Sequence, residues 1–248
     1  MATLVAVLVA VEAGGGGSSA HGGFRSLRGV ERLVGLALPA AERRPPAVER
    51  VRSYAPVVGF GARHRGRVVA LTFDDGPGPW TWRIVRVLRR MRVPATFFEV
   101  GREVASHPWA ARQVARSFVV GDHTWDHVPM GRLRWAQQLD QTRARTSLFR
   151  PPYESYDRQT LGVMRVERKL TVLWDVDSRD WTRPGVRRIV ANVVPHVRPG
   201  SIVLLHDGGG VRWQTWSALP VIVRQLRARG FRFVTVPRMM QVAPPWRG

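Results

Sequence analysis

An α/β fold of parallel strands alternating with helices is what this sequence predicts, and three observations predict it. Short apolar runs recur along the chain, each closed by glycine, proline or aspartate, as buried strands are. Between them lie segments with apolar residues at three- and four-residue spacing, the mark of a helix with one buried face. Strand and helix alternate from residue 68 to residue 236 with no internal repeat. That order suits a parallel sheet or barrel with helices outside.

The first strand is expected over 68–73, stopped by the turn residues Asp74-Asp75-Gly76-Pro77. A helix over 81–91 puts Ile84, Val85, Leu88 and Met91 on one face. A strand over 95–100 closes at Gly101; a helix spans 108–117 and a short strand 118–120. Residues 134–148 read as a helix, 170–176 as a strand, 184–194 as a helix and 201–205 as a strand. A helix over 218–230 ends at Gly230, and a last strand covers 231–236.

The residues before 67 carry weaker patterning and read as a separate, poorly structured arm, leaving 67–248 as the folded domain. Residues 1–11 are apolar over the length of a signal h-region but too short to span a bilayer. No basic residue precedes that run, so a plain tail or a buried strand stands beside the signal reading. No other stretch approaches a transmembrane segment. Residues 12–23 have a Gly/Ser linker composition. Residues 33–38 fit a short helix, and Pro39, Pro45 and Pro46 break the chain beyond it.

Composition sets outer limits. Of 248 residues, 44% are hydrophobic, enough for a large core and against disorder of the whole chain. With no cysteine, disulfides, thiolate metal sites and cysteine nucleophiles are excluded. Basic residues number 39 against 18 acidic, a formal charge of +21, and Lys169 is the only lysine. Such charge attracts polyanions, an acidic cell-wall polymer or nucleic acid among them. The plainer alternative is arginine usage in a GC-rich genome, because the arginines are spread and not massed in one tract. No specific nucleic-acid motif is present.

Ligand-binding groups of such folds gather where strands end. Asp74 and Asp75 follow the first strand, His123 the third, Asp177 and Asp180 the 170–176 strand, and His206 and Asp207 the 201–205 strand. Adjacent carboxylates repel unless a cation relieves them, although alone they read as a solvated turn. His123 and His127, four apart, can bind one divalent ion or simply pack. One carboxylate with two imidazoles makes three ligands and leaves a position open for water, as catalytic zinc sites do.

Taken together, the motifs resemble the polysaccharide deacetylase family, the NodB-homology group of carbohydrate esterases. The matching segments stand in the family's order: residues 72–77, 123–127, 150–153, 177–181 and 204–207. The resemblance implies a distorted (β/α) barrel and a hydrolase that removes acetyl from N-acetylhexosamines of a polysaccharide, chitin-oligomer or peptidoglycan. It implies Asp75, His123 and His127 as ligands of a divalent metal, usually zinc. Asp74 would be the general base, held ionised by Arg150. The Tyr153 N–H would help stabilise the oxyanion. His206 would be the general acid, oriented by Asp180. Trp181 and Leu204 would shape the acetyl pocket. A secreted or cell-envelope location is expected from such a substrate.

Departures from the family pattern are Glu154 where glycine is common, Asp122 where asparagine is common, and Ser117-Phe118 in place of a Gly-His pair. None removes a reacting group. Two other readings compete: an O-acetyl esterase of xylan or peptidoglycan on the same site, and a non-catalytic basic protein that binds wall or polyanion. Oligomeric state is not written in these motifs.

Overall fold

A computed structural model describes residues 45–63 and 66–245. The apolar N-terminal run, the linker at 12–23 and the helix expected over 33–38 lie outside the described residues. Helix α1 (Pro46–Arg52) and strand β1 (Val57–Val58) come first, then β2 (Val68–Asp74), α2 (Thr81–Arg90) and β3 (Ala95–Glu99). Helices α3 (Gly101–Ser106) and α4 (Pro108–Ala115) lead into β4 (Val119–Asp122). Next are α5 (Trp135–Gln141), β5 (Leu148–Phe149), α6 (Arg158–Val166), β6 (Leu170–Val172) and β7 (Val176–Asp177). Helix α7 (Val186–Val193), β8 (Ser201–His206), α8 (Trp213–Ala228), β9 (Arg232–Phe233) and α9 (Val236–Val242) complete the chain.

The strands form one sheet in the order β1-β6-β5-β4-β3-β2-β8-β7, with β9 added beside the start of β2. Every ladder between named strands is parallel. The sheet curls without closing, since β1 and β7 stand at opposite ends of the order. This is the parallel α/β architecture that the alternation predicts, in the distorted-barrel form that the resemblance implies.

The period-2 alternation of a strand sorts side chains to two cores. On β2, Val69, Leu71 and Phe73 enter the cluster under α2, α7 and α8, while Val68 and Ala70 enter a second cluster with α1 and α9. Thr72 and Asp74 continue the second row. On β8, Val203 and Leu205 face the first cluster and Ile202 the second. Leu204 and His206 continue that row, and Asp74 pairs with His206 in register. The inner face therefore carries its charged groups, Asp74 and His206, at the strands' C-terminal ends.

Several boundaries differ from the sequence reading. The helix expected over 134–148 stops at Gln141, because Leu148 and Phe149 pair as a strand with β6. The strand expected over 170–176 divides at Leu173–Asp175, where the Asp175 carboxylate takes hydrogen bonds from the Ser201 hydroxyl and the Ile202 N–H. The strand expected over 231–236 is only Arg232–Phe233. Thr235 then caps α9, whose first turn holds Pro237. Helix α8 begins at Trp213, earlier than expected, and runs through Pro220. Pro46, read as a breaker, is instead the first residue of α1, and Val48 and Val51 bury its inner face. No helix among the described residues is long and apolar enough to cross a membrane.

Candidate active site

A cleft of about 570 Å³ opens at the C-terminal ends of the strands. Asp74, Asp75, His123, His127, Tyr153, Trp181, Leu204 and His206 all line it. Arg150 and Asp180 sit behind it, each bonded to a residue of that set. All ten residues that the sequence singles out thus converge on one place.

Asp75, His123 and His127 form one group whose ligand atoms lie within 4.8 Å of one another. Asp75 Oδ1 is 3.0 Å from His127 Nε2 and 3.4 Å from His123 Nε2. The Arg150 carbonyl lies 2.7 Å from His123 Nδ1, which places the proton on Nδ1 and the lone pair on Nε2. The Tyr153 hydroxyl lies 3.1 Å from His127 Nδ1. Two imidazoles and one carboxylate with Nε2 atoms turned inward suit zinc or a similar divalent ion, and the cleft side remains open. Burial alone would raise the Asp75 pKa, but hydrogen bonds from both histidines outweigh it and hold the carboxyl well below its ordinary range.

The backbone is strained around this group. Asp75, Thr124, His127, Tyr153 and Glu154 all have left-handed φ, between 55° and 72°. Non-glycine residues occupy that region at a cost, and such residues cluster at functional sites. Glu154 holds this conformation at the position where the sequence departs from glycine.

Behind the ligands, Arg150 is completely buried. Its Nη1 donates to Asp74 Oδ1 at 2.7 Å and to Thr72 Oγ1 at 2.8 Å. Nε and Nη2 donate to the carbonyls of Val172 and Leu173. The guanidinium also lies over the Phe98 ring, 4.1 Å from its centroid. Asp74 Oδ2 is left toward His123, 3.8 Å away.

On the other side, Asp180 Oδ1 lies 2.6 Å from His206 Nδ1. Its Oδ2 accepts from the His206 N–H and the Thr215 hydroxyl. Burial would lower the His206 pKa, yet Asp180 outweighs it, with smaller help from Asp75 and Asp74, and raises it to about 9. The imidazole is therefore protonated at neutral pH, with Nε2 as its remaining donor.

Three supporting residues had no role in the sequence reading. Asp207 is buried against Gly76, where any side chain would collide with its carboxylate, and Thr81 donates to it. Burial drives Asp207 up to about 7; Thr81 opposes this, and Asp75 and Asp74 add to it. Lys169 and Asp122 form a buried pair at 2.6 Å, and Lys169 also donates to the Thr142 carbonyl. Asp122 Oδ1 accepts the Thr124 N–H, so the pair anchors the loop that carries both histidines. The only signal for it was a lone lysine among arginines beside a departure at Asp122.

Comparisons with known proteins agree on one family. The family model described as Polysaccharide deacetylase matches residues 61–167. A peptidoglycan-N-acetylglucosamine deacetylase of Bacillus cereus is 35% identical over 71% of this chain and 89% of its own length. A chitooligosaccharide deacetylase of a Bradyrhizobium strain is 38% identical over 76% of this chain and 94% of its own. A crystal structure of a peptidoglycan N-acetylglucosamine deacetylase superposes with a TM-score of 0.72 at 30% identity, covering 79% of this chain and 97% of that one.

Proposed function

The chain belongs to the polysaccharide deacetylase family, and from that premise we propose that it hydrolyses the acetamide of N-acetylglucosamine residues in a polysaccharide, using a divalent metal. The observation that carries the reading is the pairing of Asp74 with His206 across β2 and β8, flanking the Asp75–His123–His127 group. The candidate base and the candidate acid thus stand on neighbouring strands beside one candidate metal group. The relatives named above act on peptidoglycan or chitooligosaccharide, and N-acetylglucosamine is the unit common to both.

An amide resists hydrolysis because its carbonyl is a weak electrophile and its nitrogen a poor leaving group. A divalent cation held by Asp75, His123 and His127 supplies Lewis acidity toward the carbonyl and acidifies water. Asp74, held in place by Arg150, takes the proton from the attacking water through Oδ2. The Tyr153 N–H donates to the developing oxyanion. His206 Nε2 then gives its proton to the amine nitrogen as the C–N bond breaks, releasing acetate and a free amine. Asp180 holds the ring for that transfer. Leu204 and Trp181 line the part of the cleft suited to the acetyl methyl. Such a substrate suits an enzyme working at the cell envelope or outside the cell.

The test is acetate release from N-acetylglucosamine oligomers and from peptidoglycan, with chelator-stripped protein and with zinc restored. Release that returns with metal is expected. Release only from O-acetylated xylan would replace the N-deacetylase reading with an esterase, and no metal uptake at all would remove its basis.

A further inference from the structure

A second concave surface lies away from the cleft, between α2 and α8. It is a groove of about 410 Å³ lined by Arg83, Arg86, Arg90 and Arg224 around a floor of Val87, Met91, Trp216 and Pro220. On α2 the three arginines fall at i, i+3 and i+7, so they share one helix face and climb about 10 Å along it. Arg224 faces them from α8. No carboxylate lines the groove.

These cations are unspent. Among the described residues, the side chains of Arg86, Arg90 and Arg224 make no ion pair or hydrogen bond. Their neighbours do otherwise. Arg89 donates to the Gln113 carbonyl and Ser117 Oγ, Arg227 to the Met91 carbonyl, and Arg229 to the Val197 carbonyl. A general excess of arginine accounts for charge on every face. It does not account for four arginines from two helices meeting over one apolar trough.

We propose that this groove binds a linear phosphodiester polymer of small polyol units, lying along α2. Guanidinium groups take phosphate oxygens in a bidentate fork, and a ladder of them matches a chain with one anion per repeat. The apolar floor receives the carbon backbone between phosphates. Single-stranded nucleic acid fits less well, because it needs open aromatic platforms for its bases. Here the groove lining offers one aromatic, Trp216, tilted against Trp80 at 6.4 Å between centroids, and not a row of platforms, one per base. The groove also has a direction. Helix α2 follows the Asp74–Asp75 loop, and α8 follows His206–Asp207, so the groove starts at the rim of the catalytic cleft. A bound polymer would hold the protein where the glycan is. That last step rests on the deacetylase reading; the binding itself does not.

The experiment measures binding of fluorescein-tagged poly(glycerol phosphate) to the zinc-loaded full chain over a range of NaCl concentrations. Three proteins are compared: wild type, the groove variant Arg86→Gln/Arg90→Gln/Arg224→Gln, and a control, Arg112→Gln/Arg116→Gln/Arg188→Gln, that loses equal charge at exposed sites elsewhere. The groove variant is expected to bind about tenfold more weakly or worse, with a log–log salt slope reduced by about 2, while the control stays within about twofold. Acetate release by the groove variant should match wild type, which also shows it folded. Equal losses in both triples would reduce the effect to net charge and overturn the proposal, as would unchanged binding by the groove variant. Equal affinity for single-stranded DNA of the same phosphate count, with the same dependence on the groove, would overturn the choice of polymer. Absent acetate release in wild type would count against the proposed function alone.

Discussion

His206 shows how one contact sets a working pH. Asp180 raises its pKa to about 9, against burial, so the acid form exists at neutral pH and is lost as pH rises through about 9. The alkaline limb of kcat/KM on N-acetylglucosamine oligomers should fall there. Asp180→Asn should move that limb toward the ordinary imidazole value of 6.5. An unmoved limb would assign it to another group. The same pair stabilises the fold below pH 6.5 and ceases to do so as pH rises through about 9. Lys169 supports the site differently. Lys169→Met leaves the Asp122 carboxylate buried without its cation and should cost about 3–5 kcal/mol in urea unfolding. Adding Asp122→Asn removes the stranded charge and should recover most of the loss. Lys169→Arg should not rescue, since a planar five-donor group would have to fit where a compact ammonium meets Asp122, the Thr142 carbonyl and, at 4.0 Å, Glu167. The residues that gather at the cleft were legible in the sequence because most sit in short motifs at strand ends. Lys169, 47 residues beyond Asp122, was not, because only the β4–β5–β6 order brings the two together.

At the scale of elements, the long strands and helices were legible and the short ones were not. Residues of β2, β3 and β8 are almost wholly buried, so their apolar runs announce them. Strands β1, β5, β7 and β9 are two residues each and exist through pairing, which no local pattern records. Helix α1 is the instructive case. Its pair of prolines reads as a break, yet Pro46 starts the helix, and Val48 and Val51 carry the contact with α9 and β6. If that contact is integral to the barrel, Val51→Ala should lower stability by about 2 kcal/mol, seen as a lower urea midpoint with an unchanged slope. A change below a few tenths would mean that α1 merely rests on the surface. The strand expected over 231–236 fails for the opposite reason. Phe231 and Val236 are buried as a strand's residues would be, but Thr235 and Pro237 are helix-start signals, and the chain obeys them.

For the molecule as a whole, two charge economies coexist. Inside, three cations each face a carboxylate, Arg150 with Asp74, Lys169 with Asp122 and His206 with Asp180, while buried Arg212 is held by the Gly208 and Gly209 carbonyls. Over the whole chain 39 basic residues stand against 18 acidic ones, and the Arg150–Asp74 and Lys169–Asp122 pairs take equal numbers from each side. The excess of +21 is therefore not offset by the buried pairs, and it repels itself in the compact state. Added salt screens exposed charges over about 10 Å at 0.1 M and leaves buried pairs nearly untouched. Repulsion should dominate the balance, so the melting temperature should rise as NaCl increases from a few millimolar to about 0.2 M. Sodium chloride is the salt to use, because sulfate and phosphate bind arginines directly and strengthen burial generally. A fall in melting temperature over the same range would mean that exposed pairs such as Arg63–Asp175 and Arg168–Glu49 contribute more than the unpaired arginines subtract. The groove variant sharpens the comparison. Removing three unpaired cations without breaking any contact should raise the melting temperature at low salt and shrink its rise with NaCl, so that the positions suited to a polyanion are also those where the free protein gains stability by losing charge.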